Sequence, residues 1–217
     1  MSVPLLLLIF DPPTVVVLVK VLALATSWLI LLDSWREIRW RTLPEILPTA
    51  LLGQVLGIIL LRELDTAALK LLASAVVVGF ALLVLRGFTI SGSDRKIDGM
   101  VAGGTSGILS TSTGLSGPPI VLLFTLRHYP VAAFRATTVT FFVIIDLVSL
   151  PALFAEGMID RDTVGTVLLL SPAAFIGRFT GARLTRFVSP PQFRRVTLAL
   201  LLLTGLIGIA GAVQSLV

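Results

Sequence analysis

Two ionisable residues stand inside apolar runs of this chain. Lys20 interrupts PTVVVLVKVLALATSWLI, and Asp146 interrupts RATTVTFFVIIDLVSLP. An ionisable side chain inside a membrane-type segment is costly and is a functional candidate by default. Lys20 offers a positive charge to an anion, or snorkels to the interface. Asp146 is suited to take up and release a proton, or to pair with a buried cation such as Arg178 in SPAAFIGRFTG. Arg135 opens the Asp146 segment together with Thr137 and Thr138, either as an anion ligand or as a residue reaching for the interface.

A third feature is GILSTSTGLSGPPIVLLF at 107–124. It carries no charge, and Gly114, Gly117, Pro118 and Pro119 would break a helix there. Irregular backbone at membrane depth is tolerated only inside protein or along a water-filled cavity. The break frees backbone N–H groups and sets them among the hydroxyls of Ser110, Thr111, Ser112, Thr113 and Ser116. Pro118 and Pro119 suit the first turn of a half-helix whose dipole points at the break. An oxyanion is the natural guest of such a site, although hydroxyl and carbonyl oxygens would also accept a cation. The bland alternative is a Gly/Pro kink that only improves packing.

The elements that hold these residues are set by composition. The 217 residues are 56% hydrophobic and 13% charged, with a mean hydropathy of +1.02. Soluble domains are nearer about a quarter charged, so the surface must be largely lipid-facing. A spanning helix needs roughly 20 apolar residues. Candidate segments fall at 12–32, 44–62, 67–87, 131–154, 163–182 and 196–216, with 97–128 as a further membrane segment. As one helix 97–128 would run about 48 Å at 1.5 Å per residue, too long for a simple crossing. The fold class expected is therefore all-α, a polytopic integral membrane protein with about 7 membrane segments. Its Gly-rich helix at 97–128 is broken or re-entrant. Trp28, Trp35 and Trp40 suit a membrane–water interface.

The chain also resembles itself. Gly53 and Gly57 align with Gly177 and Gly181, Arg62 with Arg186, Lys70 with Arg194 and Gly87 with Gly211, at one offset and without a gap. VPLLLLIF at 3–10 aligns with GPPIVLLF at 117–124, pairing Pro4 with Pro118. This predicts a first repeat at 1–87, a linking loop at 88–98 and a second repeat at 99–217, the first lacking its N-terminal part. If 97–128 returns to its starting side, the loops near 36–41, 86–96, 127–135 and 183–195 gather most Lys and Arg on one side. Arg62, Lys70 and Arg161 remain on the other. If it spans, the bias vanishes. The positive-inside rule favours re-entrance, and with it repeats of inverted topology.

Several function classes are excluded by what the sequence lacks. It has no cysteine and one histidine, His128, so it offers no thiolate or His-cluster metal site. There is no H-E-x-x-H, no G-x-S-x-G and no phosphate-binding G-x-x-x-x-G-K-[ST]. We expect no enzyme activity and no cofactor. Scattered basic residues without interleaved aromatics give no nucleic-acid surface.

A Gly-rich segment ending G-x-x-G-P-P, then an apolar run, then R-A-T at a helix start, resembles the TauE/SafE family of sulfite-exporter-like permeases. The matching residues are Gly103, Gly104, Gly107, Gly114, Gly117, Pro118 and Pro119, then Arg135, Ala136 and Thr137. The resemblance implies a multi-pass permease of the bacterial inner membrane whose substrates are sulfur-containing anions such as sulfite or organosulfonates. On this reading Lys20, Pro4, Ser112, Thr113, Gly114, Ser116, Gly117, Pro118, Pro119, Arg135, Thr137 and Thr138 bind the anion at the repeat interface, by alternating access. Asp146 couples transport to protons. The partners expected are the small anion, membrane lipid, H+ or Na+ as coupling ion, and a second copy in a homodimer. The rival readings are a non-transporting membrane subunit or scaffold, and a truncated, inactive permease.

Overall fold

The computed structural model describes residues 3–7, 9–85, 96–184 and 203. Among these, the regular structure is helical and no strand occurs. A short α1 (Val3–Leu6) precedes α2 (Pro12–Ser34), a 3-10 turn at Trp35–Glu37, α3 (Leu43–Glu63) and α4 (Thr66–Leu85). Then come α5 (Lys96–Ser112), α6 (Gly117–Leu126), α7 (Val131–Ala155) and α8 (Arg161–Leu184). The expected segments 12–32, 44–62, 67–87, 131–154 and 163–182 each fall on one helix, and 97–128 divides between α5 and α6. Along their described residues α3 and α7 are long and apolar enough to cross a membrane. Apart from Leu203, the segment expected at 196–216 lies outside the described residues, as do the second-copy residues Arg186, Arg194 and Gly211 and most of the linking loop. α5 begins at Lys96, inside the stretch expected as loop, with Asp98 in its first turn where the helix dipole favours an acid.

Local chemistry sets the ends. Prolines occupy the first turns of α2, α3 and α6, where a missing N–H costs nothing and φ is already helical. Gly114 (φ +74) follows α5 and Gly157 (φ +72) follows α7, both in the left-handed conformation that ends helices. At the start of α8, Asp160 Oδ1 accepts the Thr163 N–H at 2.7 Å. Hydrogen bonds from the Thr163 side chain and backbone hold the Asp160 carboxyl below its ordinary value.

The closest packing joins α3 and α5, which run side by side in the same direction. Gly99, Gly103 and Gly107 recur every fourth residue and form one stripe on α5. Gly103 sits against the Ile46 carbonyl, Gly107 against the Ala50 carbonyl, and Gly53 of α3 against the Gly104 carbonyl. Small residues let membrane helices approach backbone to backbone, and van der Waals contact then holds them. At Gly177, which the sequence aligns with Gly53, no atom of another described element lies within 4 Å of where a Cβ would stand.

α5 and α6 form a hairpin. Gly99, near the start of α5, lies beside Arg127, just past the end of α6, and the Ser106 hydroxyl donates to the Ser116 carbonyl at 2.6 Å. The segment therefore returns to the end from which it set out. α2 and α7 are antiparallel. Arg39, beyond the end of α2, donates its N–H to Thr137 near the start of α7 at 3.0 Å. Val16 and Val17, near the start of α2, pack with Leu153 near the end of α7. The main core joins Ile46 and Ala50 of α3, Ile120 and Phe124 of α6, and Phe141 and Ile145 of α7.

This arrangement gives the molecule two distinct ends. At one, Arg127 pairs with Glu45 at 2.9 Å and Thr42 shares a hydrogen bond with Tyr129. Partial burial works against the charge on Arg127, but Glu45 and Tyr129 outweigh it and push the guanidinium above its ordinary value. At the other end, Arg62 pairs with Glu156 in an exposed bridge, the kind that adds little stability in water. Trp35 and Trp40 are exposed near the first end, as an interfacial role requires. The Trp28 side chain lies outside the described residues.

Candidate functional site

The sequence places Lys20 and Asp146 on different helices with no indication that they meet. The antiparallel α2–α7 pair brings them together: Lys20 Nζ donates to Asp146 Oδ1 at 2.8 Å. The same ammonium donates to Ser110 Oγ at 2.6 Å, near the end of α5. Lys20 is 2% exposed and Asp146 5%. Asp146 therefore pairs with Lys20, where sequence reasoning offered Arg178 as the partner; the Arg178 side chain lies outside the described residues. Taking two charges out of water is expensive, and their mutual attraction repays it only with good geometry and further hydrogen bonds. Ser110 supplies one of those bonds.

Further polar contacts hold the backbone next to the pair. Gln54 of α3, 3% exposed, donates from Nε2 to the carbonyl of Ile145, next to Asp146, at 2.7 Å. The Thr111 hydroxyl donates to the Gln54 backbone carbonyl at 2.9 Å, and Ser149 donates to the Asp146 carbonyl at 3.3 Å. Gln54 Oε1 is buried and has no partner among the described residues. Sequence reasoning missed Gln54. The signal was available: a lone amide inside the apolar run LLGQVLG.

The break lies beside this pair. α5 stops at Ser112, the chain turns through Thr113–Ser116, and α6 restarts at Gly117. The Leu115 N–H returns to the Leu109 carbonyl at 3.2 Å. Pro118 and Pro119 stand in the first turn of α6, as expected. Having no N–H, they leave the donors of this helix end to Ser116 and Gly117. The Ser112 and Thr113 hydroxyls, expected as donors to a guest, are spent on the Ile108 and Leu109 carbonyls of their own helix, at 2.7 and 2.9 Å. α1 abuts the turn: Val3 packs in one cluster with Leu115, and Pro4 lies in that helix, its side chain outside the description.

The remaining candidates sit elsewhere. Arg135 is exposed near the start of α7, eleven residues before Asp146 and so about 16 Å away along the axis. Thr137 accepts the Arg39 N–H. Thr138 is buried, and its hydroxyl has no partner among the described residues. The structure thus gathers Lys20, Asp146 and the hairpin turn, and leaves Arg135, Thr137 and Thr138 at the basic end. His128 is exposed in a loop, as expected. Among the described residues, no three His, Cys, Asp or Glu side chains cluster to hold a metal ion.

The turn depends on its glycine. At Gly114 a Cβ would lie 3.7 Å from Val3 and 3.8 Å from Val16, so space is available and the backbone is the obstacle. Left-handed φ costs an L-residue about 1–2 kcal/mol. Gly114→Ala is expected to lower stability by that amount in a detergent melt. An unchanged melting temperature would mean that the turn does not need this conformation.

A family model described as Sulfite exporter TauE/SafE matches residues 1–207. A Comamonas testosteroni protein named "Probable inner membrane transporter protein TsaS" is 30% identical over 177 residues, 80% of this chain and 73% of that protein. A Cupriavidus necator protein named "Probable sulfite/organosulfonate exporter TauE" is 27% identical over 195 residues, 87% of this chain and 75% of that protein. No solved structure matches the chain.

Proposed function

The chain belongs to the TauE/SafE sulfite exporter family of integral membrane proteins, and from that premise we propose that it is a secondary transporter for small anions, sulfite or organosulfonates among them. One observation carries the site: a buried ammonium, Lys20, held beside the Gly114 turn of a helical hairpin. A cation at membrane depth beside non-helical backbone is the arrangement expected of a transporter's anion site. The two named relatives, an inner membrane transporter and a sulfite/organosulfonate exporter, support the substrate class and a place in the bacterial inner membrane.

The hairpin is read as re-entrant, its turn at mid-depth. Arg36, Arg39, Arg41, Lys96, Arg127 and Arg135 then share the end marked by the Glu45–Arg127 pair. Arg62, Lys70 and Arg161 belong to the other. Under the positive-inside rule the first end faces the cytoplasm. Alternating access moves one group of helices against the other around the site.

Flux of sulfite and methanesulfonate from proteoliposomes tests the reading. Wild type is expected to show saturable flux. Ser110→Ala removes a hydrogen bond to a charged group, worth about 1.5–3 kcal/mol, and should slow flux at least about tenfold. Arg135→Ala should leave flux near wild type. Wild-type vesicles no more permeable than protein-free ones would overturn the proposal.

A further inference from the structure

Lys20 cannot serve an anion while Asp146 holds it. We propose that substrate and Asp146 compete for the Lys20 ammonium, and that each anion bound is accompanied by one proton taken up by Asp146. This rests on the anion-transport reading and adds its coupling.

The argument is one of charge balance in a dry place. With the site empty, the Lys20 ammonium and the Asp146 carboxylate cancel at 2.8 Å. A monovalent anion that reaches Lys20 with Asp146 still ionised leaves a net negative charge among buried groups, which low-dielectric surroundings penalise heavily. A proton on the Asp146 carboxylate restores neutrality: the ammonium faces the anion, and the neutral carboxyl keeps a hydrogen bond. The proton comes from the water on the side where the anion enters. It leaves to the water on the other side when Asp146 reclaims Lys20. Anion and proton therefore travel in the same direction, and no net charge moves with a monovalent substrate.

The surroundings leave this role to Asp146. From α2 it is met by Lys20. From α3 comes Gln54, an amide that holds the neighbouring Ile145 carbonyl. From α5 comes Ser110, which reaches the carboxylate only through the ammonium. Among the described residues Lys20 is the charged group that acts on it. The pair also sits where movement would be felt, since its members lie on α2, α5 and α7.

Methanesulfonate is the suitable probe, because its sulfonate carries no proton near neutral pH. The full chain is reconstituted with a pH-sensitive dye inside the vesicles, and the membrane potential is set with potassium and valinomycin. Wild type should move about one proton with each methanesulfonate and be driven by a pH gradient. Its rate should not respond to the imposed potential. Asp146→Asn should abolish proton movement, make any residual flux respond to potential, and bind methanesulfonate without pH dependence in a thermal-shift titration. The wild-type proton count stands whether or not that variant folds. Methanesulfonate flux that is electrogenic and proton-free in wild type overturns the coupling and leaves the transporter reading intact. Proton movement that persists in folded Asp146→Asn overturns the assignment to Asp146. If wild type moves neither sulfite nor methanesulfonate, the transporter reading fails, and the coupling with it.

Discussion

Gly107→Leu is expected to yield no monodisperse folded protein, and Gly107→Ala to cost at least about 1–3 kcal/mol, the usual range for overpacking. A Cβ at Gly107 would stand 2.8 Å from the carbonyl carbon and 2.9 Å from the Cα of Ala50. These are backbone atoms inside α3 and cannot rotate aside. Gly103 meets the Ile46 carbonyl carbon at 2.9 Å in the same way, so relief at one point means parting the helices along the stripe. In lipid, van der Waals contact carries much of helix association, so parted helices lose much of what joins them. Gly117→Ala is the control: among the described residues no atom of another element lies within 4 Å of where its Cβ would stand, and the change is expected to alter stability by no more than about 0.5 kcal/mol. Size-exclusion profiles and melting curves in detergent report both. A Gly107→Leu protein that elutes and melts like wild type would disprove the α3–α5 contact.

Much of this fold was legible in the sequence, for physical reasons that can be named. The helix positions followed from apolar run length, and the break at 107–124 from glycine and proline, because these report local backbone preference. Return of the hairpin to its starting end agrees with the side on which Lys and Arg accumulate. What could not be read was pairing. Gly103 and Gly107 were noticed as a motif and Gly53 and Gly57 as a repeat, yet nothing local says that one stripe faces the other. Asp146 was legible as a charge inside an apolar run, but its partner depends on how α2 and α7 cross, and a sequence with several cations in apolar runs (Lys20, Arg135, Arg178) leaves that open. The hydroxyls of Ser112 and Thr113 were expected to face a guest; they turn back on their own helix because the i−4 carbonyl is always within reach.

Lys20→Met and Asp146→Leu are each expected to cost about 3–5 kcal/mol, and the double variant to recover most of that loss. Each single change leaves one buried charge without its counterpart. The double change leaves two apolar side chains of similar bulk, which a dry interior accepts. The interaction energy from the four melting curves should therefore be large and of opposite sign to the single losses. Additive losses in the double variant would show that the 2.8 Å pair is not formed in the folded protein. If Lys20 receives the anion as proposed, recovery of stability should not restore transport.

The hairpin also bears on how the protein is made. α6 has ten residues, about 15 Å of helix, half of a hydrocarbon core about 30 Å thick. Such a helix cannot be threaded across a bilayer as a stop-transfer segment of its own. It needs a surface already in the membrane to lean on. The order of synthesis supplies one: α3 leaves the ribosome before α5 and carries the glycine face on which α5 docks, and α6 folds back along α5 once that docking is made. On the re-entrant reading proposed for the hairpin, an earlier helix would template it, and a lesion at Gly53 is expected to show first as a failure of membrane insertion, read as loss of membrane-extracted protein.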